Sequence, residues 1–292
     1  MRIVDAAGRD RDHPAMPAAA TTVSTLLAHA CQRIDPTDAD ILLAHALGRS
    51  RSWLFAHADD GLSDAELASF EALLQRRVIG EPVAYLLGNQ GFWTLDLLVT
   101  PATLIPRPET ELLVEQALAR MPNDAVMRVA DLGTGSGAIA LAIAKERPRA
   151  QVVAVDLSKD ALDVARANAA RNGIGNVEFR QGSWLEPLLG EGFDVIVSNP
   201  PYVADGDPHL AQGDLRFEPA LALACGKDGL DAIRLIIGGA SKALRPSGWL
   251  LFEHGFDQAA EVRSLLADAG FGEIETVRDL EARDRVTLGR AP

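Results

Sequence analysis

Val126-Met127-Arg128-Val129-Ala130 reads as a strand, Asp131-Leu132-Gly133-Thr134-Gly135-Ser136-Gly137 as a glycine-rich loop, and Ala138-Ile139-Ala140-Leu141-Ala142-Ile143-Ala144 as a helix. Strand, loop and helix in this order make a nucleotide-type cradle, because glycine lets the backbone approach a ligand closely. The candidate cradle residues are Gly133, Thr134, Gly135, Ser136 and Gly137. Their spacing, G-x-G-x-G, differs from the G-x-G-x-x-G dinucleotide fingerprint and lacks the Lys-Ser/Thr of a P-loop. The next strand, Gln151 to Val155, ends in Asp156, a carboxylate placed to accept both hydroxyls of a ribose. Asp156 can also serve as the N-cap of the helix Ser158 to Asn172, but Ser158 can fill that role and release it. Asp131 is expected to orient the loop through backbone N–H groups.

Further along, the run Phe193 to Tyr202 is an apolar, β-branched strand that releases Asn199-Pro200-Pro201-Tyr202. That loop suits chemistry on a planar amide or amino nitrogen, whose lone pair is delocalised into the adjacent π system. The Asn199 side-chain oxygen can accept one N–H and the Pro200 carbonyl the other. Pro201 confines Pro200 to extended geometry, which aims that carbonyl. The Tyr202 ring can pack over a flat substrate group. Asn199, Pro200 and Tyr202 are therefore candidate catalytic residues, and Pro201 joins them in substrate binding. A bare Pro-Pro turn after a buried strand would mean little. The whole tetrapeptide at a strand end, downstream of the glycine loop, favours a functional reading.

Taken in order, the glycine loop, Asp156 and Asn-Pro-Pro-Tyr resemble a class I S-adenosylmethionine-dependent methyltransferase. More narrowly, the chain resembles the HemK/PrmC family, which methylates a glutamine side chain of peptide chain release factors. The narrower match rests on Gly80-Glu81-Pro82-Val83-Ala84-Tyr85-Leu86-Leu87-Gly88, Phe92-Trp93, and the stretch Val99 to Glu111, which contains Ile105-Pro106-Arg107-Pro108-Glu109-Thr110-Glu111. Glu253-His254-Gly255 and the ending Asp284 to Arg290 add to it. The resemblance runs from about Thr21 onward. It departs at the first twenty residues and at Glu281-Ala282-Arg283, where a glycine-bearing link is expected. It implies S-adenosyl-L-methionine as cofactor, S-adenosyl-L-homocysteine as product, N5-methylation of a glutamine in release factors, and a cofactor contact at Trp184. Asn199 borders both cofactor and substrate in this reading. The alternatives are a glutamine methyltransferase of a ribosomal protein and a DNA adenine-N6 methyltransferase, since the same tetrapeptide serves flipped exocyclic amines.

Composition constrains these readings. Net charge is −13 over 292 residues, which argues against wrapping naked DNA and is compatible with docking a basic protein. Direct nucleic-acid binding is not expected. Hydrophobic residues make up 48% of the chain, enough for a sizeable core, yet no apolar run reaches a membrane span of roughly twenty residues. Cys31 and Cys225 lie far apart, and the six histidines form no ligand cluster, so no metal is expected. A cytoplasmic monomer is the expectation. Residues 1–20 lack a signal-peptide core and read as a disordered leader, with Met16 as an alternative start.

The expected organisation is a leader over 1–20, a helical docking domain over 21–88, a β-hairpin linker over 89–105 and the methyltransferase domain over 106–292. In the helical part, Val23, Leu26, Leu27 and Ala30 share a face. Asp35-Pro36 opens a helix carrying Ile41, Leu42, Ala44 and Leu47 and ending at Gly48. Ser63 to Glu66 is a capping box before Leu67, Phe70, Leu73 and Leu74. From Pro108 onward helix and strand alternate, implying a mostly parallel α/β, Rossmann-like sheet with helices on both faces. The strands are expected at Val126–Ala130, Gln151–Val155, Val177–Arg180, Asp194–Val197 and Trp249–Phe252, with a terminal antiparallel pair at Ile274–Val277 and Arg285–Leu288. Two further residues have open readings. Arg107 either covers the cofactor or pairs with Glu109 or Glu111. His254 is expected to be a hydrogen-bonded core histidine.

Overall fold

The computed structural model describes residues 21–292; the expected leader and alternative start at Met16 lie outside the described residues. The chain divides into two compact units between Leu86 and Leu87.

The first unit is helical: α1 Val23–Ala30, α2 Pro36–Leu47, α3 Arg51–Ala56, α4 Asp64–Val78 and α5 Val83–Leu87. The local signals work as read. The Asp35 side chain accepts from Thr37 N, Pro36 takes the first turn, and Gly48 closes α2 at φ 61°. Ser63 and Glu66 form the reciprocal capping box of α4. Helices this short are marginal alone and depend on packing. Val23, Leu26, Leu42, Leu43, Phe70 and Leu74 supply that packing and are buried. Leu27, Ile41, Leu47, Leu67 and Leu73 flank this core and are half-buried. The stripe is therefore narrower than the sequence pattern suggests. Arg77 pairs with Asp38 at 2.7 Å and ties α4 to α2.

The second unit opens with an antiparallel hairpin, β1 Asn89–Phe92 and β2 Leu95–Leu98, whose register runs from Asn89 opposite Leu98 to Phe92 opposite Leu95. A 3₁₀ turn over Pro108–Thr110 leads into α6 Glu111–Ala119. There follow β3 Arg128–Leu132, α7 Ala138–Glu146, β4 Gln151–Asp156, α8 Lys159–Arg171, β5 Val177–Gln181 and β6 Phe193–Ser198. After two 3₁₀ turns come α9 Ala220–Leu223, α10 Asp231–Ala240, β7 Leu244–Glu253, α11 Ala259–Asp268, β8 Gly272–Arg278 and β9 Asp284–Arg290. The seven strands order as β5-β4-β3-β6-β7-β9-β8. All neighbours pair in parallel except β9, which runs antiparallel to β7 and β8.

Several strand boundaries differ from expectation, β7 by the most. β3 begins at Arg128, which pairs with Gln151; Val126 has no partner and is exposed. β7 begins at Leu244, five residues ahead of Trp249, because Leu244 already pairs with Phe193 across a register shift. Period-two alternation sends Val129, Val152 and Val195 into a core shared with α6 and α7. Ala130, Val153 and Ile196 face the opposite core, with Ile233 and Ile236 of α10 and Val262 of α11. A sheet buried on both faces leaves its C-terminal edge as the place for a site. The strand order reverses between β3 and its neighbours β4 and β6, which is where such sheets bind ligands.

Candidate active site

Leu132 and Ser198 are register partners at the ends of β3 and β6, and the Ser198 hydroxyl donates to the Leu132 carbonyl at 2.7 Å. The glycine loop and the Asn-Pro-Pro-Tyr loop therefore leave adjacent strands from the same level. This placement follows from the parallel register and brings the two sequence motifs together.

Gly133, Gly135 and Gly137 all have positive φ, at 72°, 55° and 86°. Gly137 caps α7, and a Cβ there would stand 3.1 Å from Leu141 and 3.2 Å from Ala165, so glycine is required for both conformation and space. Asp131 lies beneath the loop. Its Oδ2 accepts from the Thr134 hydroxyl at 2.6 Å and from Ala140 N at 3.2 Å. Its Oδ1 has no hydrogen-bond partner, and burial pushes the carboxyl up to about 7. Thr134 and Ser136 are themselves buried. The fully buried Asn168 braces the loop: its Nδ2 donates to Ser136 O at 2.9 Å and Leu98 O at 3.0 Å, while its Oδ1 accepts from Leu98 N at 2.6 Å.

Ser158 is the N-cap of α8, its side chain accepting from Ala161 N. Asp156 is nevertheless engaged: Oδ2 accepts from Gly135 N and Oδ1 from Ser158 N, both at 2.9 Å. Each carboxylate oxygen keeps further lone-pair capacity. Burial raises this carboxyl above its ordinary range. Trp184, at φ 47°, lays its ring against Gly133: a Cβ at that glycine would be 3.3 Å from the ring. The tryptophan thus forms one wall of the glycine loop. Packing on its neighbours and bordering a ligand are compatible roles for it.

Asn199 donates from Nδ2 to the Thr110 hydroxyl oxygen at 3.1 Å. That leaves the opposite atom of the same carboxamide, Oδ1, as an acceptor. Pro200 is buried, and Pro201 and Tyr202 are half-buried. The Tyr202 carbonyl accepts from Gln258 at 3.0 Å, and burial pushes its phenol up to about 12, so it stays protonated.

Arg107 corrects one expectation. Its ion-pair partner is Glu218, a residue between β6 and α10, and neither Glu109 nor Glu111. The Glu111 carboxylate instead accepts from Trp93 N at 2.6 Å. Glu218 is buried and also accepts from Ile105 N at 3.0 Å, which pins the segment before Thr110. His254 is fully buried. Gly255 O can only accept, so Nδ1 at 2.8 Å carries the proton and Nε2 accepts from the Thr287 hydroxyl at 2.7 Å. Burial lowers its pKa, and the ring is a neutral structural group, as read.

Thr110, Asn168, Glu218 and Glu253 escaped the sequence reading. Thr110 and Glu253 fall inside quoted stretches, but nothing local distinguishes them. Their roles arise where β6, β7 and the 3₁₀ turn converge.

Comparison with known proteins agrees with this geometry. A PrmC N-terminal domain family matches residues 18–88, and a methyltransferase domain family matches residues 123–271. A release factor glutamine methyltransferase of Xylella fastidiosa (strain Temecula1 / ATCC 700964) is 61% identical over 267 residues, covering 91% of this chain and 97% of that protein. The protein of the same name from Escherichia coli (strain K12) is 49% identical, covering 87% and 91%. A T. thermophilus 16S rRNA methyltransferase, solved in complex with AdoMet and guanosine, shares the fold at 22% identity, with a TM-score of 0.53 over 70% of this chain and 50% of that one. With the glycine loop and Asn-Pro-Pro-Tyr on adjacent strand ends, the chain belongs to the release factor glutamine methyltransferase family.

Proposed function

We propose that this protein transfers a methyl group from S-adenosylmethionine to the side-chain nitrogen of a glutamine in peptide chain release factors. One observation carries the reading: Asn199 and the glycine loop stand on neighbouring strand ends, with the Asn199 Nδ2 already committed to Thr110. The residues fit the cofactor. Three left-handed glycines make a cradle that a Cβ would crowd at Gly133 and Gly137, and Asp156 at the end of β4 can accept ribose hydroxyls without losing its hold on Gly135 N. Trp184 walls the loop at Gly133.

The cofactor, when bound, supplies an activated methyl group on a good leaving group. The protein's part is positioning and electrostatics. Asn199 Oδ1 and the Pro200 carbonyl accept the two N–H bonds of the substrate amide. Held this way, the amide plane is fixed and its nitrogen lone pair faces the methyl carbon. Both acceptors also draw electron density toward nitrogen. Tyr202, kept neutral by burial, packs its ring against the flat amide. As nitrogen gains its fourth bond its proton becomes acidic, and Asn199 Oδ1, the Pro200 carbonyl or water takes it. A strong general base is unnecessary, which agrees with a neutral His254 tied to Thr287 and Gly255. The helical unit is the proposed docking element for the release factor, and the acidic balance of −13 suits a basic protein surface. The setting is translation termination in the cytoplasm.

The test is incubation of the full chain with methyl-labelled S-adenosylmethionine and, separately, release factors, ribosomal proteins and DNA, followed by mapping of the label. Label on a release-factor glutamine is expected. Label confined to a ribosomal protein or to DNA overturns the assignment.

A further inference from the structure

Glu253, the last residue of β7, is a buried carboxylate that the reaction as described leaves without a role. It is 1% exposed, and its Oε2 has no hydrogen-bond partner. Such an acid is costly to keep unless something nearby uses it. What surrounds it is the reacting loop. The Thr110 hydroxyl and the Asn199 carboxamide both act to lower its pKa, and Asn199 and Glu253 directly follow the register partners Ser198 and Phe252 at neighbouring strand ends, although no completed hydrogen bond joins Glu253 to either group. Thr110 Oγ1 in turn accepts from Asn199 Nδ2 at 3.1 Å. A hydroxyl has one proton to give. If Thr110 gives it to Glu253, its lone pairs are left for the Asn199 amide N–H. The polarity of the chain is then set from its far end: carboxylate, hydroxyl, amide.

This matters because an asparagine carboxamide is nearly symmetric in shape. Flipped by 180°, Asn199 would present N–H donors to a substrate that itself brings N–H donors, and the clamp would repel. We propose that Glu253 is a positioning residue which, through Thr110, holds the Asn199 carboxamide with Nδ2 inward and Oδ1 toward the substrate nitrogen. The inference rests on the proposed amide clamp and adds to it the group that decides its orientation.

Ionisation of Glu253 is then a condition of activity. Burial pushes this carboxyl up to about 7, Arg285 of β9 lowers it, and Glu109 of the 3₁₀ turn raises it. Tyr202 faces it as a neutral phenol, and the neighbouring His254 is a neutral ring bonded to Thr287 and Gly255. Protonated Glu253 becomes a donor, competes for the Thr110 oxygen and releases the Asn199 amide. Turnover should therefore rise with pH along a limb that Glu253 sets. Asp131 titrates in the same range but lies under the glycine loop, so its effect should fall on cofactor affinity.

The first measurement needs no substrate. In the full chain labelled with ¹⁵N-asparagine, the Asn199 side-chain amide signals, assigned by their loss in Asn199→Ala, should shift with pH in the wild type. In Glu253→Gln they should stay still. Signals that follow pH identically in both proteins overturn the proposal. The second measurement is turnover. Thr110→Val and Glu253→Gln should lower kcat about tenfold and leave the KM for cofactor within about twofold. Thr110→Ser should restore activity, and the ascending pH limb should vanish in Glu253→Gln. Unchanged kcat in both Thr110→Val and Glu253→Gln also overturns it. If the amide signals behave as expected and the wild type labels no release-factor glutamine, the proposed substrate falls and the Glu253–Thr110–Asn199 relay stands.

Discussion

The Arg107 guanidinium and the Glu218 carboxylate form an ion pair across 111 residues of sequence, with Glu218 buried and Arg107 partly exposed. The same carboxylate accepts from Ile105 N, so one acid closes the segment before Thr110 onto the loop region after β6. Glu218→Ala strands a buried N–H and a partly desolvated cation. It should destabilise the fold by about 1–3 kcal/mol. Glu218→Gln keeps an acceptor for Ile105 N and should cost less. Urea unfolding of the three proteins checks the order; equal stability of the Ala variant would show that the pair contributes nothing.

Asp156→Ala removes an acceptor for Gly135 N and the proposed partner of the ribose hydroxyls. Hydrogen bonds to a charged group contribute roughly 1.5–3 kcal/mol each, so S-adenosylmethionine should bind about ten- to a hundredfold more weakly. NAD should bind neither protein. Calorimetry giving wild-type affinity in the variant would remove Asp156 from the site.

Asn199→Ala deletes the oriented acceptor itself. Losing one preorganised polar group from such a site costs about 10²–10³ in turnover. Cofactor affinity should change much less, because the glycine loop and Asp156 hold the other half of that molecule. Asn199→Asp keeps an oxygen acceptor but loses the Nδ2 donor to Thr110 and sets a second carboxylate beside Glu253. It should retain more activity than the Ala variant and less than the wild type. Near-normal methylation by Asn199→Ala at saturating cofactor would rule out the clamp.

What could be read from the sequence is what local chemistry determines. Asp35-Pro36, Ser63 to Glu66 and the three loop glycines each carry their conformation in adjacent residues, and each sits where it was expected. Alternation of helix and strand likewise leads to the sheet and its terminal antiparallel strand. The polar braces were illegible for the opposite reason. The carboxylates near Arg107 in sequence are Glu109 and Glu111, yet the backbone of the hairpin claims Glu111 and a distant loop supplies Glu218. Thr110, Asn199 and Glu253 converge only because β6 and β7 pair in parallel and end together, at Ser198 opposite Phe252. Glu281-Ala282-Arg283, where a glycine was expected, meets the same backbone demand without one: Ala282 sits at φ 60°, held while Asp279 Oδ1 accepts from Glu281 N and Arg283 N at 3.0 Å.

The buried acids make a prediction about stability that is independent of substrate. Burial raises Glu253 from 4.5 to about 7 and Asp131 from 3.8 to about 7, so the folded protein holds these protons more tightly than the unfolded chain. Stability rises with pH only where the unfolded state binds more protons; here the sign is reversed. Each acid's contribution is intact below its unfolded value, declines as pH climbs toward 7, and is lost above it. Glu253→Gln replaces the acid with a neutral isostere and escapes the penalty. Relative to wild type it should gain stability between pH 5 and pH 8, by at most roughly 3 kcal/mol, since one pKa unit corresponds to about 1.36 kcal/mol. Other titrating groups cancel in the difference between the two proteins. Urea unfolding of both at pH 5 and pH 8 measures it. A stability difference that is the same at the two pH values would mean that Glu253 ionises in the fold as readily as in the unfolded chain, and its pH-dependent hold on Asn199 would lose its physical basis.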